Sequence, residues 1–241
     1  MRPLTRGRYL ARLGENAKDV TQAQALRHLA FHGRSGLDQD SFDALCQHML
    51  VEDAQGDLVA CCRLQIFADG DELQSSYSAQ SYDLSRLARF GGPKLELGRF
   101  CLKPGIKDPN ILRLIWGALT VSLDGAGVTM LFGCTSFAGA DPARHAAALA
   151  TLHGHAAPLE FAPGPRAVDR FALPTGAGDP LGLPPLLRSY LAMGAWVSDH
   201  AVIDRAMNTV HVLTALPVAQ VPPARARALR AIGAQNRATG D

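Results

Sequence analysis

Apolar and polar positions along this chain repeat with the periods of helices and strands. Two apolar runs flank Gly56-Asp57, a strong turn signal, and predict a β-hairpin over 48–67. Thr21 suits the N-cap of a helix that runs to about His32. The apolar face predicted for this helix consists of Ala25, Leu26, Leu29 and Ala30.

Further strands are predicted at 95–102, 128–137, 195–203 and 209–217. Further helices are predicted at 82–90, 109–123, 143–156, 186–194 and 222–235. Asp108 and Pro109 form a good start signal for the second of these helices. Residues 157–185 are dense in Pro and Gly, which indicates an extended crossing loop.

The predicted order contains one clear βαβ unit, at 95–137, inside a mostly antiparallel set. This order predicts an α/β (α+β) fold with a mixed, mostly antiparallel central sheet and helices on both faces. Residues 1–18 are basic and poorly patterned, so we expect a loose arm there. The predicted organisation is therefore an N-terminal arm (1–20), one domain (21–217) and an Arg/Ala-rich tail (218–241).

Composition and charge exclude several classes of protein. The 241 residues are 47% hydrophobic, which is enough for the core of one large domain. A formal charge of +2 does not indicate a nucleic-acid binder, and no apolar run is long enough to span a membrane. The sequence has neither GxGxxG nor GxxxxGK[ST], the usual phosphate-binding loops. Five cysteines without a CxxC pair and no secretory signal predict free thiols in a cytoplasmic protein.

The strand 95-LELGRFCLKPG-105 carries Glu96 and Arg99 among apolar residues. Strand alternation places Glu96 on the same face as Gly98 and opposite to Arg99. Desolvation there favours a raised pKa and a role as general base. A buried salt bridge or a place at the sheet rim is the commoner use of such a residue.

Two other polar features accompany this strand. The segment 38-DQDSFD-43 supplies three carboxylates, which by themselves indicate a solvated loop. Arg63 is the only charge in the apolar run 58–67, and a lone strand arginine needs an acidic partner. A strand Arg, a strand Glu and this loop together are compatible with a polar pocket for a zwitterion.

With these residues in place, the chain resembles the bacterial ornithine N-acyltransferases that make lyso-ornithine lipid. These enzymes belong to the acetyltransferase-like superfamily and are similar in layout to acyl-homoserine-lactone synthases. The resemblance spans about 20–217. It rests on the order and spacing of 38-DQDSFDALCQHMLVED-53, 82-YDLS-85, 95-LELGRFCLKP-104, 131-LFGCTSF-137 and 186-LLRSYLAMGAWVSDHAVID-204.

The resemblance implies an N-acyltransferase in which Glu96 and Arg99 are catalytic. It implies a site for the amino-acid substrate formed by Arg27, Phe31, Asp40, Asp43 and Arg63. In this hypothesis the aspartates hold positive charge on the acceptor, and Arg63 or Arg27 holds its carboxylate. A tryptophan frequent in the lactone synthases is replaced by 33-GRSGLD-38, which argues against a sulfonium-methionine substrate.

The donor side departs from acetyl-CoA enzymes, because 103-KPGIKDPNI-111 lacks their Q/RxxGxG/A pyrophosphate loop. This absence fits acyl carrier protein as the donor of a 3-hydroxyacyl chain, with no further cofactor. Backbone N–H groups near 101–103 are expected to polarise the thioester carbonyl. The residues expected to contact the acyl or pantetheine chain are Cys101, Leu102, Lys103 and Ser136.

Several alternatives stay open at this level. The acceptor is ornithine or glutamine, and the rivals are a homoserine-lactone-type synthase and a non-catalytic module that binds carrier protein or a membrane surface. His145, His153 and His155 lack the HExxH pattern and an acidic ligand, so no metal is expected. The basic tail is either a solvated helix or a contact for carrier protein or anionic lipid, which allows peripheral binding to the inner membrane.

Overall fold

The computed structural model describes residues 2–235. The strands are β1 (Leu4–Arg6), β2 (Tyr9–Leu13), β3 (Gln47–Glu52), β4 (Leu58–Phe67), β5 (Tyr82–Asp83), β6 (Lys94–Leu102), β7 (Met130–Ala138), β8 (Gly164–Pro165), β9 (Arg170–Ala172), β10 (Trp196–Val197), β11 (His200–Asp204) and β12 (Thr209–Pro217). The α-helices are α1 (Ala17–His32), α2 (Ser85–Ala88), α3 (Pro109–Gly125), α4 (Ala146–Ala150), α5 (Pro185–Leu191) and α6 (Pro223–Gln235). Residues 236–241 of the predicted tail lie outside the described residues.

The chain forms two compact units. The first comprises 2–65, 97–127 and 223–235, and the second comprises 66–96 and 128–222. Strand β6 contributes its first three residues to the second unit and the rest to the first. No helix within residues 2–235 is both long enough and apolar enough to cross a membrane.

In the first unit the strand order is β1-β2-β3-β4-β6. Helix α1 packs on this sheet through a cluster formed by Ala23, Leu26, Leu50, Cys61 and Cys101. Helix α3 packs against β1, β2 and α6. A Cβ on Gly117 would lie 2.5 Å from Ile232 Cγ2, so the close approach of α3 and α6 requires glycine at this position.

In the second unit the strand order is β6-β7-β12-β11-β9, and β10 also pairs with β12. β6 and β7 are parallel, with Lys94–Glu96 opposite Met130–Phe132, whereas β7, β12, β11 and β9 follow one another in antiparallel pairs. The mixed, mostly antiparallel sheet is therefore confirmed, as is the βαβ connection from β6 through α3 to β7.

The expectation of a loose arm over 1–18 is wrong for its described part. β1 and β2 pair with each other, and β2 pairs with β3, with Leu10 opposite Glu52. Leu4, Tyr9 and Ala11 are buried, and these few apolar positions are enough to dock the segment. The arginines between them mask the strand pattern in the sequence.

Helix α1 also begins earlier than predicted. Asn16 caps it by accepting a hydrogen bond from the Asp19 backbone N–H at 3.1 Å. Thr21 lies inside the helix, where its hydroxyl donates to the Ala17 carbonyl. The predicted apolar face is also misplaced, because Ala25 is exposed whereas other positions, including Arg27, are buried.

The helix predicted at 143–156 is divided into three short pieces. A 3-10 turn at Pro142–His145 leads into α4, and a second 3-10 turn follows at Thr151–His155. The crossing loop predicted at 157–185 contains two short strands, β8 and β9. The hairpin, α3 with its Asp108 cap, and the helical tail through Gln235 are confirmed.

A buried polar pair lies in the second unit. The Tyr82 hydroxyl donates to the His211 carbonyl at 2.9 Å and lies 3.1 Å from His211 Nδ1. Burial is the main reason why the pKa of His211 is lowered from 6.5 to about 4. The charge of Asp204 raises this pKa, and the charge of His200 lowers it further. Burial also raises the pKa of Tyr82.

We predict that the stability of the protein falls as the pH is lowered from about 6.5 to about 4. The unfolded chain binds a proton at His211 in this window and the folded chain does not, so protonation favours unfolding by up to roughly 3 kcal/mol. Urea unfolding at pH 7 and pH 4.5 measures this loss. His211→Gln should flatten the dependence, and His32→Gln, at an exposed position, should leave it unchanged. An equally steep loss in His211→Gln would contradict the assignment.

Candidate functional site

Arg27 is the centre of a charged cluster in the first unit. It lies on α1, its side chain is buried, and its Nε donates to Asp38 Oδ2 at 2.8 Å. Its Nη1 and Nη2 donate to the two carboxylate oxygens of Asp43 at 2.9 and 3.0 Å. It also donates to the backbone carbonyl of Asp38. The guanidinium therefore holds both ends of the 38–43 loop.

Two further arginines complete the Arg–Asp cluster, which we define as Arg27, Asp38, Asp40, Asp43, Arg63 and Arg99. Arg63 on β4 contacts the carboxylate of Asp40 and lies 3.1 Å from Asp43 Oδ1. Arg99 on β6 contacts the other two aspartates, with Nε 3.1 Å from Asp38 Oδ2, the oxygen that Arg27 also binds, and Nη2 3.2 Å from Asp40 Oδ2. Three cations face three carboxylates, so the formal charges of the cluster balance.

The pKa values within the cluster follow from burial and pairing. Burial opposes ionisation of Asp43, but hydrogen bonds and charge from Arg27, Gln24 and Arg63 outweigh it and hold the pKa of Asp43 well below its ordinary range. Burial likewise disfavours the charge on Arg27, yet pairing with Asp43 and Asp38 raises its pKa. Burial lowers the pKa of the adjacent His48, whose Nε2 lies 3.1 Å from the Asp43 carbonyl oxygen.

Arg99 adopts a left-handed backbone conformation, with φ of +52°. This conformation is rare outside glycine and costs about 1–3 kcal/mol, so surrounding contacts must fix it. The ion pairs to Asp38 and Asp40 provide such contacts. The backbone turn also interrupts the regular alternation that the sequence predicts along β6, so face assignments beyond Gly98 do not follow from spacing alone.

Glu96 belongs to the second unit and is 5% exposed. Its Oε1 accepts a hydrogen bond from the Ser78 N–H at 2.7 Å, and its Oε2 accepts one from the Tyr77 N–H at 3.0 Å. These donors lie at the start of the 3-10 turn Ser78–Gln80. The two backbone N–H groups therefore fix both oxygens of the Glu96 carboxylate.

The structure places the other predicted site residues in varied surroundings. Phe31 is half-buried and packs against the cluster formed by α1 and the sheet. Cys101 is buried, with its Sγ 3.6 Å from Cys61 Sγ; this contact and burial raise the pKa of its thiol. Leu102 is half-buried, and Ser136 is exposed on β7. These contacts assign Cys101 to the core of the first unit.

The Lys103 backbone N–H donates to the Val59 carbonyl at 2.8 Å. This N–H group is therefore already used within the sheet and is not available to a thioester oxygen. Its geometry does not support the expectation that the Lys103 amide polarises the thioester carbonyl. The Lys103 side chain is partly exposed and lies 3.7 Å from Asp57.

Sequence reasoning missed three contributors to these arrangements. Asp38 is among the three carboxylates noted in the acidic loop but not among the predicted substrate-site residues, although it is as central to the cluster as Asp40 and Asp43. Tyr77 and Ser78 act through backbone amides, for which side-chain identity gives no signal.

The histidines considered for metal binding contact separate backbone carbonyls. His145 Nε2 lies 3.0 Å from the Ala138 oxygen, and His153 Nε2 lies 3.1 Å from the Leu173 oxygen. These contacts are typical of histidines that fix loops.

Comparisons with known proteins give a consistent result. An acetyltransferase (GNAT) domain matches residues 25–117. An L-ornithine N(alpha)-acyltransferase from Rhizobium meliloti (strain 1021) is 32% identical over 246 residues, which cover 87% of this chain and 80% of that protein. An L-ornithine N(alpha)-acyltransferase from Brucella abortus (strain 2308) is 30% identical over 245 residues, with 87% and 84% covered.

Among solved structures, the chain is similar to FeeM, an N-acyl amino acid synthase from uncultured soil microbes. The identity is 11% and the TM-score is 0.48, with 93% of this chain and 97% of that chain covered.

We predict that Asp43→Asn lowers the free energy of unfolding by about 3–5 kcal/mol at pH 7, because it leaves buried Arg27 without its main partner. Asp40→Asn should cost roughly 1 kcal/mol, since this carboxylate is 22% exposed and water replaces part of the contact. Urea unfolding gives both values. The stabilisation from Asp43 is present above the ordinary carboxyl pKa and is lost as the pH falls below it.

If Asp43→Asn and Asp40→Asn lowered the free energy of unfolding equally, burial would not explain the difference predicted between the two aspartates. Asp53→Asn, in the exposed turn of the β3–β4 hairpin, provides a matched control.

Proposed function

The chain belongs to the L-ornithine N(alpha)-acyltransferase family, and we propose that it transfers a 3-hydroxyacyl chain from acyl carrier protein to the α-amino group of ornithine. The product is a lyso-ornithine lipid. The observation that carries this proposal is the relationship to enzymes of this name along most of both chains.

Glu96 is proposed as the general base. Its carboxylate is held by two backbone amides, which supports an ionised, fixed acceptor for a proton. Glu96 takes one proton from the ornithine ammonium, directly or through water. The freed amine nitrogen attacks the thioester carbon, the C–S bond breaks, and the phosphopantetheine thiol leaves with a proton. The product is an amide.

The exposed edge of the Arg–Asp cluster is proposed to contact the acceptor. Asp40 has the most accessible carboxylate of the three, with 22% of its side chain exposed, and it pairs with Arg99 at 3.2 Å. A carboxylate suits the side-chain ammonium of ornithine, and a guanidinium suits its carboxylate. Arg27 and Asp43 are more deeply buried and already bonded, so we assign them to positioning the loop.

Acyl carrier protein as donor is supported by charge at the first turn of α3. Arg6 Nε and Arg113 Nη1 lie 3.4 and 3.5 Å from Asn110 Oδ1. Two further cations, Arg8 and Lys107, are exposed and lie within three residues of Arg6 and Asn110 in the chain. Carrier proteins are acidic, and such cations steer an acidic partner. The 103–111 loop also lacks the Q/RxxGxG/A pattern that holds a pyrophosphate, a group that a carrier protein does not present.

We predict that Glu96→Gln lowers kcat by about 10²–10⁴ while the fold is retained, because the amide accepts no proton. Steady-state kinetics and circular dichroism of the purified variant measure the two effects. Glu72→Gln, at an exposed glutamate of the same unit, is the control and should match the wild type. A folded Glu96→Gln variant with near-full turnover would remove Glu96 from the mechanism.

We predict that the protein acylates ornithine in preference to glutamine, and uses acyl carrier protein in preference to the matching acyl-CoA. Kinetics with 3-hydroxyacyl donors of equal chain length and both acceptors test the two preferences, and mass spectrometry identifies the product. Higher salt should raise the KM for the carrier protein.

Efficient acylation of glutamine with ornithine barely used would overturn the headgroup assignment. Equal kcat/KM for the two donors would overturn the donor assignment. Formation of a lactone would identify the rival synthase reaction, and no transfer to any amine would favour a non-catalytic binding module.

A further inference from the structure

A turn at Pro158–Phe161 presents an apolar side chain on the surface of the second unit. The Phe161 N–H donates to the Pro158 carbonyl at 2.9 Å, which closes the turn. Leu159 lies at its tip and is 83% exposed. Isolated exposed leucines are ordinary on protein surfaces, so the neighbours decide what this one does.

Three aromatic rings support the turn. Phe161 stacks on Trp196, with ring centroids 5.8 Å apart and planes within 5°. Phe90 meets both rings edge-on, at 5.2 and 6.1 Å. All three are partly buried and pack against the hydrophobic core of the unit, so the turn rests on a rigid aromatic base that keeps part of its surface open.

One arginine contacts this turn, and a second one directly precedes Phe90 in the chain. Arg86 Nη1 lies 3.4 Å from the Leu159 carbonyl oxygen, and Arg89 is exposed at the end of α2. Glu160 is the acidic neighbour within the turn. We call Leu159, Phe161, Phe90, Trp196, Arg86 and Arg89 the aromatic-turn surface.

We propose that the aromatic-turn surface docks the protein on an anionic phospholipid bilayer, with Leu159 inserted among the acyl chains. A convex apolar tip, aromatic rings behind it and flanking arginines are the features that bind a membrane interface. The arginines complement anionic headgroups. This inference rests on the proposed function, because its product, an acylated amino acid, is poorly soluble in water. Such a product leaves the enzyme most readily into a bilayer.

This location differs from the basic tail considered from the sequence. In α6, Arg230 is already paired with Asp124, with Nε 2.9 Å from Oδ2. The helix packs against α3 through Ile232 and Gly233, and carries no exposed large apolar side chain among its described residues. The part of the tail that the structure describes therefore lacks the apolar component that membrane insertion requires.

The test is co-sedimentation of the full chain with phosphatidylglycerol and phosphatidylcholine vesicles. Leu159→Ser should lower the partition coefficient on anionic vesicles about tenfold. Leu181→Ser is the matched control, because Leu181 is 82% exposed on another loop, and it should bind as the wild type does. Arg86→Gln should weaken binding about fivefold on anionic vesicles only, and added salt should remove this difference.

Trp196 supplies an independent readout. Lipids with brominated acyl chains should quench its fluorescence in the wild type and not in Leu159→Ser. Trp116, the other tryptophan, is 4% exposed and gives an unquenched background. Leu159→Ser should keep the wild-type turnover on carrier-protein substrate in the absence of vesicles.

The proposal is overturned if the wild type does not sediment with anionic vesicles at low salt, or if Leu159→Ser and Leu181→Ser bind equally. It is also overturned if Leu159→Ser abolishes a concentration-dependent self-association instead, since the surface then binds a second copy. Vesicle binding through Leu159 without ornithine acylation would support the surface while refuting the proposed function, so the two failures are distinguishable.

Discussion

Arg27 is a buried cation, and the first unit depends on its neutralisation. A guanidinium taken out of water is tolerated only when its donors meet acceptors of opposite charge. Asp38 and Asp43 supply those acceptors from one loop. Displacement of this loop would therefore leave the charge of Arg27 unpaired in an apolar environment. A single residue on α1 thereby fixes a segment that has little regular secondary structure of its own.

The same constraint extends to two strands. Each aspartate of the loop contacts two arginines, so the loop also engages Arg63 and Arg99. The ion pairs of Arg99 help to hold it in a backbone conformation that it would not adopt alone. Balanced charge within the cluster means that little field extends beyond it. A charged substrate that reaches the Arg–Asp cluster meets individual exposed side chains such as Asp40, rather than a strong net potential.

The parts of the structure that sequence predicted are those with local causes. The Gly56-Asp57 turn signal predicted the hairpin, and Asp108 with Pro109 predicted the start of α3. The resemblance identified most of the arginines and aspartates, with Arg99 as catalytic and the others as substrate ligands. Only for Arg63 did the sequence also predict an acidic partner, which the structure supplies in Asp40 and Asp43. What failed depends on distant contacts: the N-terminal strands are stabilised by pairing with β3.

The amide contacts of Glu96 come from a turn that lies 18 residues earlier in the chain. This arrangement links the position of the Glu96 side chain to local opening of that turn. The N–H groups of Tyr77 and Ser78 are protected from solvent exchange while the carboxylate accepts their hydrogen bonds. Their hydrogen–deuterium exchange rates therefore report whether one glutamate side chain stays in place, without any label on the residue itself.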